Sequence, residues 1–479
     1  MDSQHIKIIK TKTNNYLYSL NRNEFKILNQ DDIECLVSGI KEGTNTRIRE
    51  LIEHKYFDSM LNEIYNPVTP YVVDFLKTNV NTITLQLTCD CNFRCRYCWY
   101  ASDNILDRTH EKCKMSSETI RKSILFLKNH SSNRKNVKIH FYGGEPMLEF
   151  NKIKEAVNYA YQIMPEKEIR YEITTNLSIL TQDMIDFLID KRVNLVISID
   201  GPEKIHNKYR RFASNGQGTF SLVYKNILKL KDFNKEYFDN CIRFNSVVSS
   251  EEDKKNAIDF FSHQPFSLDK VSINKIYYDR TDMPRLKQAK QEEQDKEKNF
   301  VFKFNLFLTY IQEKKVDYIC LPEHEEKGRY FAFLTELGDK RTYSKFHHAG
   351  PCLPGQSKLF IKRNGDIVPC ENVSDYSKTL LIGTVYDDFN YDKILSIVNF
   401  SHITKKECLN CWAIRFCSIC PLEVDNFDCF SRETNLKICE LQRKKTEHIM
   451  KEFLIVVDLI ITINGGQNEK NSTSSTLCR

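Results

Sequence analysis

Between about residues 80 and 280, short β-branched runs alternate with longer amphipathic ones, and no other feature restricts the fold as tightly. The runs Ile83 to Leu87, Val137 to Tyr142, Ile169 to Thr174, Leu195 to Ile199, Ile242 to Val248 and Val271 to Ile276 have strand length and composition. Helical stretches lie between them, for example Ser117 to Asn129, Lys152 to Met164 and Thr181 to Lys191. Strand and helix in turn give repeated βαβ units on a parallel sheet, so the expected class is α/β. Six such units predict an incomplete barrel, open on one side. Chemistry in these folds gathers at the C-terminal strand ends.

Four of those ends carry unusual residues. Cys91, Cys95 and Cys98 follow the first strand, and Gly143-Gly144-Glu145-Pro146 follows the second. Thr174-Thr175-Asn176 ends the third and Ser198-Ile199-Asp200-Gly201-Pro202 the fourth. Singly, a Gly-Gly pair is a tight turn and a terminal Asn or Ser a helix cap. Four such features on one rim point to a ligand. Three soft thiolates suit a [4Fe-4S] cluster with one iron left open, or, with Cys89 as fourth ligand, a zinc ion.

The chain holds seventeen cysteines, and its N-terminus lacks the layout of a secretion signal, so a disulfide framework is not expected. Cys35, Cys113, Cys241 and Cys320 stand alone and read as buried or idle thiols. A second group comprises Cys352, Cys370, Cys408, Cys411, Cys417, Cys420, Cys429 and Cys439, enough for two zinc ions or two iron-sulfur clusters. Within it Lys358 to Ile361, Asn364-Gly365 and Ile367 to Val368 read as a hairpin that brings Cys352 and Cys370 together. Residues 1–75 read as three strands (His5 to Ile9, Tyr16 to Leu20, Glu24 to Leu28) and two helices, a winged-helix-like domain whose exposed strand would take an extended peptide by strand addition. A plain support domain fits the same residues. Residues 281–299 are a charged linker or solvated helix; Phe300 to Glu313 and Arg329 to Leu337 read as bridging helices of a 281–345 segment. Residues 446–479 read as a helix and a disordered polar tail. The apolar run Phe453 to Ile463 is too short to span a bilayer and is interrupted by Asp458. A net charge of +6 over 70 basic and 64 acidic residues has no basic stripe, so neither nucleic acid nor membrane is expected as a partner, and the expected location is cytoplasmic.

CNFRCRYC resembles the CxxxCxxC signature of radical S-adenosylmethionine (SAM) enzymes. FYGGEP resembles their SAM-binding glycine motif, and SIDGPEKIHNKYR a segment of the peptide- and protein-modifying members. Cys352, Gly365 and Cys370 followed by CLNCWAIRFCSIC resemble the SPASM domain, which carries auxiliary clusters. The resemblance spans residues 80 to 445. It implies a partial (β/α)6 TIM-like barrel over 80–280 and a SPASM domain over 346–445 with two auxiliary [4Fe-4S] clusters. Cys91, Cys95 and Cys98 would hold the SAM-binding cluster. Gly143, Gly144 and Glu145 would meet the SAM amino group and Arg210, with Arg211 as competitor, its carboxylate. Asn176 and Ser198 would meet the ribose, and Tyr97 the adenine.

Family precedent assigns Cys352, Cys370 and Cys420 to the first auxiliary cluster. Cys408, Cys411, Cys417 and Cys439 fall to the second, with Cys429 as competitor. Shortly before Cys352 stand His347 and His348 rather than a cysteine, so the first cluster is expected to have three cysteine ligands and an open iron for a substrate thiolate. CLPGQSKLFIKRNGDIVPCENV and the small N-terminal domain look most like maturases of cysteine-rich ribosomal peptides, of the sactipeptide and ranthipeptide type. The implied function is thioether formation in a precursor peptide recognised through its leader, with electrons from a flavodoxin or ferredoxin. Alternatives are formylglycine formation as in anaerobic sulfatase maturation, carbon-carbon crosslinking, or a zinc-ribbon binding protein without catalysis.

Overall fold

The computed structural model describes residues 5–38, 45–58, 61–98, 100, 108–264, 268–275, 332–348 and 352–465. The charged segment 281–299, the expected helix Phe300 to Glu313 and the tail beyond residue 465 lie outside the described residues.

Three strands, β1 (Ile6–Lys10), β2 (Asn15–Ser19) and β3 (Glu24–Leu28), form an antiparallel sheet with β2 central. One face is buried by Leu17 and Leu28 against Ile33, Ile48 and Leu51 of the following helices, Gln30–Ser38 and Thr46–Glu53. The other face carries Ile9, Tyr16, Tyr18 and Phe25 and packs on the long helix Arg432–Gly465 through Met450, Phe453 and Leu454. Asp458 of that helix accepts hydrogen bonds from Thr11 Oγ1 (2.5 Å), Asn14 Nδ2 (2.6 Å) and Tyr16 OH (2.5 Å), and Lys7 pairs with Glu447 at 2.8 Å. The polar interruption of the apolar run Phe453 to Ile463 is therefore a docking point for the N-terminal sheet. A short strand, β4 (Glu63–Ile64), leads toward the main sheet.

Six parallel strands follow, separated by helices: β5 (Thr82–Thr88), β6 (Asn136–Gly143), β7 (Glu168–Thr175), β8 (Asn194–Ser198), β9 (Ile242–Val248) and β10 (Val271–Lys275). All six expected strands are present in sequence order, as consecutive right-handed βαβ crossovers require. Side chains alternate. Ile83, Leu85, Ile139, Phe141, Ile173 and Leu195 point to the helices and are buried; each contributes about 2 kcal/mol by leaving water. The helix Ser117–His130 starts where Ser116 accepts a hydrogen bond from Thr119 N at 3.0 Å, and Thr181 caps Gln182–Asp190 in the same way.

The sheet does not stop at β5. After β11 (Lys345–Phe346), which pairs with β4, the strand β12 (Phe360–Ile361) adds in parallel to β5. The antiparallel strands β13 (Asp366–Val368), β14 (Gly383–Thr384) and β15 (Asp388–Phe389) then extend it to ten strands. The expected hairpin thus forms and covers the free edge of β5, joining the cysteine-rich region to the barrel through one continuous sheet.

Candidate active site

The loop leaving β5 carries Cys91, Cys95 and Cys98, and it is held from three sides. Phe93 N donates to Cys91 Sγ at 3.4 Å, Tyr100 N to Cys98 Sγ at 3.5 Å, and Asn176 Nδ2 lies 3.8 Å from Cys91 Sγ. Asn176 Nδ2 also donates to Asn92 Oδ1 at 3.0 Å, so the end of β7 is pinned to the loop. Burial raises the thiols of Cys91 and Cys95, Cys95 to about 12, and each of the two feels the charge of Cys98. Three mutually coupled sulfurs, desolvated and receiving N–H donors, suit thiolates that share positive iron.

The Gly-Gly turn after β6 lies directly under this loop. Gly143 has φ +142°, and a Cβ there would overlap the Thr88 carbonyl; a Cβ on Gly144 would overlap that of Asp90. Gly144 N donates to Thr88 O (2.8 Å) and Glu145 N to Asp90 O (2.9 Å). Glycine is required here by the close approach of two strand exits. The Glu145 carboxylate accepts from Met147 N (3.0 Å), Thr175 Oγ1 (2.7 Å) and Asn176 N (2.7 Å). Burial raises its pKa to about 7 despite those donors.

Arg210, expected as a SAM carboxylate partner, is engaged by a carboxylate of the chain itself. Both arms of its fork are taken by Asp200, with Nε to Oδ2 at 2.9 Å and Nη2 to Oδ1 at 3.1 Å. It also lies against Cys95, whose thiol its charge and hydrogen bond pull down against the effect of burial. Tyr97, expected against adenine, donates its hydroxyl to Asp200 Oδ2 at 2.7 Å, and its ring sits between Tyr209 and the Arg210 guanidinium. Both side chains turn to Asp200 because it would be an uncompensated buried carboxylate without these donors. Ser198 is buried at the end of β8, opposite Asn245. Arg211 donates to Gly216 O at 3.0 Å.

The inner face of the sheet holds polar residues that motif reasoning passed over. Gln86 of β5 donates to Tyr100 OH at 2.9 Å and accepts from Arg363 N at 3.1 Å. On β6, His140 Nε2 lies 2.9 Å from Thr174 Oγ1 of β7, and burial depresses its pKa to about 4. The signal was present: Thr84, Gln86, Lys138, His140, Tyr142, Glu172 and Thr174 recur at every second position. Parallel strands covered on both faces are ordinarily apolar throughout.

The downstream cysteines fall into two groups. Cys420 feels the charges of Cys370 and Cys352 and is raised by burial to about 12. Cys408 is coupled to Cys439 and Cys411, and Cys417 to Cys411, Cys439 and Cys408; burial raises Cys408 to about 12 and Cys439 to about 11. Cys429 is exposed in the turn between Asp425 and Phe430, with Sγ 3.6 Å from Asn426 Oδ1. Glu371, beside Cys370, is in electrostatic reach of His140 on β6. His347 and His348 are buried against Phe400. Among the described residues no three of His, Cys, Asp and Glu converge on a single ion-sized point.

Residues 85–253 match the radical SAM superfamily, so the chain carries a radical SAM domain on the partial barrel described above. That family implies a [4Fe-4S] cluster and SAM, and the loop with Cys91, Cys95 and Cys98 fits the former. Relatives include a cyclopropyl synthase and sulfatase-maturating enzymes. The chain is 28% identical over 192 residues to the radical SAM cyclopropyl synthase TigE of Paramaledivibacter caminithermalis, covering 38% of each chain. It is 23% identical over 348 residues to a cysteine-type anaerobic sulfatase-maturating enzyme of Clostridium perfringens, covering 68% of this chain and 84% of that one. The chain thus spans well under half of the first relative and most of the second. The solved structure of anSMEcpe with bound AdoMet has the same fold, with a TM-score of 0.50 at 19% identity over 79% of this chain and 98% of that one. Among the described residues no helix is long and apolar enough to cross a membrane.

Proposed function

We propose that this chain is a radical SAM peptide maturase that forms thioether crosslinks from cysteine residues of a ribosomal precursor peptide. The observation that carries this reading is the group of Cys352, Cys370 and Cys420, with Glu371 beside Cys370 in electrostatic reach of His140 on β6. Three cysteines leave one position of a [4Fe-4S] cluster open, and a substrate thiolate is a fitting fourth ligand. The cofactors, when bound, supply a 5'-deoxyadenosyl radical that takes a hydrogen atom from a substrate carbon. The chain's own residues hold and shape the site. Cys91, Cys95 and Cys98 are the ligands of the SAM-binding cluster, and the backbone of Gly143 and Gly144 lines the SAM amino group. Gln86, His140 and Thr174 line the space for the acceptor residue. Cys408, Cys411, Cys417 and Cys439 are the ligands of a second auxiliary cluster. The precursor's leader adds to the edge of β3, which, like β1, pairs within the N-terminal sheet on one side only.

The test is anaerobic incubation of the reconstituted enzyme with SAM, a reductant and a cysteine-rich precursor peptide that carries its leader. Loss of two hydrogen atoms per crosslink, with a thiol that no longer alkylates and one 5'-deoxyadenosine per crosslink, is expected. An aldehyde in place of the thiol would overturn the thioether reading. It would favour the second one, formylglycine formation, which the coverage of the sulfatase-maturating relative supports.

A further inference from the structure

Cys89, the candidate fourth ligand of a zinc ion, and Cys113, read in the sequence as a buried or idle thiol, face each other across the base of the loop that carries Cys91, Cys95 and Cys98. Thr88 and Lys114 form an antiparallel bridge, flanked by Met115 N donating to Leu87 O at 2.8 Å and Cys89 N donating to Cys113 O at 3.1 Å. Cys89 and Cys113 are the next opposed pair in that register. Directly opposed antiparallel residues have Cα atoms about 4.5–5.5 Å apart, within the range a disulfide spans without backbone movement. The two thiols are in electrostatic reach of each other, and the Arg363 guanidinium acts on both.

The two sulfurs differ in access. Cys89 is 2% exposed, and its thiol is shared with Gln86 Nε2 at 3.6 Å. Cys113 is half-buried, next to Glu111. A reagent from solution therefore reaches Cys113 first.

We propose that Cys89 and Cys113 are a reversible dithiol–disulfide pair that ties the 108–114 segment to the exit of β5, with a low-molecular-weight disulfide as the oxidant. The Cys113 thiolate attacks one sulfur of the oxidant and expels the other as a thiol. Cys89 then attacks the Cys113 sulfur of the mixed disulfide and expels the second thiol. The protein loses two protons and two electrons, and the oxidant's disulfide becomes two thiols. The bond holds residues 88–90, the carbonyls on which Gly143 and Gly144 rest, and it keeps Cys89 from pairing with Cys91 when iron is absent.

The experiment equilibrates the iron-loaded full chain anaerobically with glutathione and glutathione disulfide, blocks free thiols, and maps linked peptides by mass spectrometry without reduction. More than about half of the chains are expected to carry a Cys89–Cys113 link at equal concentrations of the two forms, reversed by excess dithiothreitol. Iron content should stay unchanged, which separates this pair from the ligands. Cys113→Ser should remove the link and leave Cys89 blocked only after unfolding; Cys89→Ser should leave Cys113 as a mixed disulfide with glutathione. A link in fewer than about one chain in ten, or Cys89 linked instead to Cys91, Cys95 or Cys98 in the loaded protein, would overturn the proposal.

Discussion

Asp200 binds the Arg210 guanidinium through both carboxylate oxygens, at 2.9 and 3.1 Å, with no solvent exposure of its own. The same carboxylate accepts from Tyr97 OH at 2.7 Å and Val247 N at 2.9 Å. The fourth strand end of the site, the loop of Cys91, Cys95 and Cys98, and β9 are thereby fixed to one anion. Arg210 is in turn set against Cys95, so it stabilises negative charge on that sulfur.

Replacing Asp200 with Asn leaves Arg210 buried and unpaired. A loss of about 3–5 kcal/mol is expected in urea unfolding, together with poorer iron retention. The double variant Asp200→Asn with Arg210→Gln should recover part of the stability but none of the iron retention. Equal stability of the single variant and the parent protein would show the pair to be dispensable.

His206 predicts an acid limb in stability. Its Nδ1 accepts from Asp200 N at 3.4 Å and its Nε2 meets Thr219 Oγ1 at 2.9 Å, while burial holds its pKa at about 2 against 6.5 for the free side chain. The neutral ring is favoured only in the fold. Its contribution is complete above pH 6.5 and declines as pH falls toward 2, by about 1.4 kcal/mol per pH unit within that window. Urea midpoints measured from pH 7 to pH 5 should fall less steeply in His206→Gln; parallel slopes would refute the assignment.

The cysteine groups predict metal content. Cys439→Ser should lose up to about four irons per chain, because Cys439 sits with Cys408, Cys411 and Cys417. Cys429→Ser should retain the parental iron content. The reverse pattern in iron and sulfide assays would exchange the two assignments.

Asp458→Ala removes the acceptor for Thr11, Asn14 and Tyr16. Amide exchange over β1 and β2 should quicken, corresponding to about 1–3 kcal/mol of lost local stability, while exchange over β5 to β8 is unaffected. Uniform quickening across both sheets would show that the N-terminal sheet and the barrel open as one unit.

The strands of the barrel were legible because each apolar run is short, β-branched and bounded by turn residues. The cysteine motifs were legible because their spacing is local. The pairing of Arg210 and Tyr97 with Asp200 was hidden because it is tertiary, and nothing about a lone Asp after a strand says that it will be buried. The pairing of Cys89 with Cys113 was hidden for the same reason: it depends on residues 108–115 doubling back along the exit of β5. The hairpin was visible, but its addition to β5 was not, since an open barrel edge is a property of the assembled sheet.

The long helix Arg432–Gly465, about 50 Å from end to end, brings the last part of the described chain onto the first. During translation the sheet of residues 6–28 emerges first, yet the side that holds Tyr16 and Phe25 finds Phe453 and Asp458 only after more than 400 further residues have been made. At about 5–20 residues per second this leaves an apolar sheet face waiting for roughly 20 to 90 seconds beside the ribosome. The order of synthesis thus makes the N-terminal sheet the part of this chain most dependent on a chaperone or on an early binding partner.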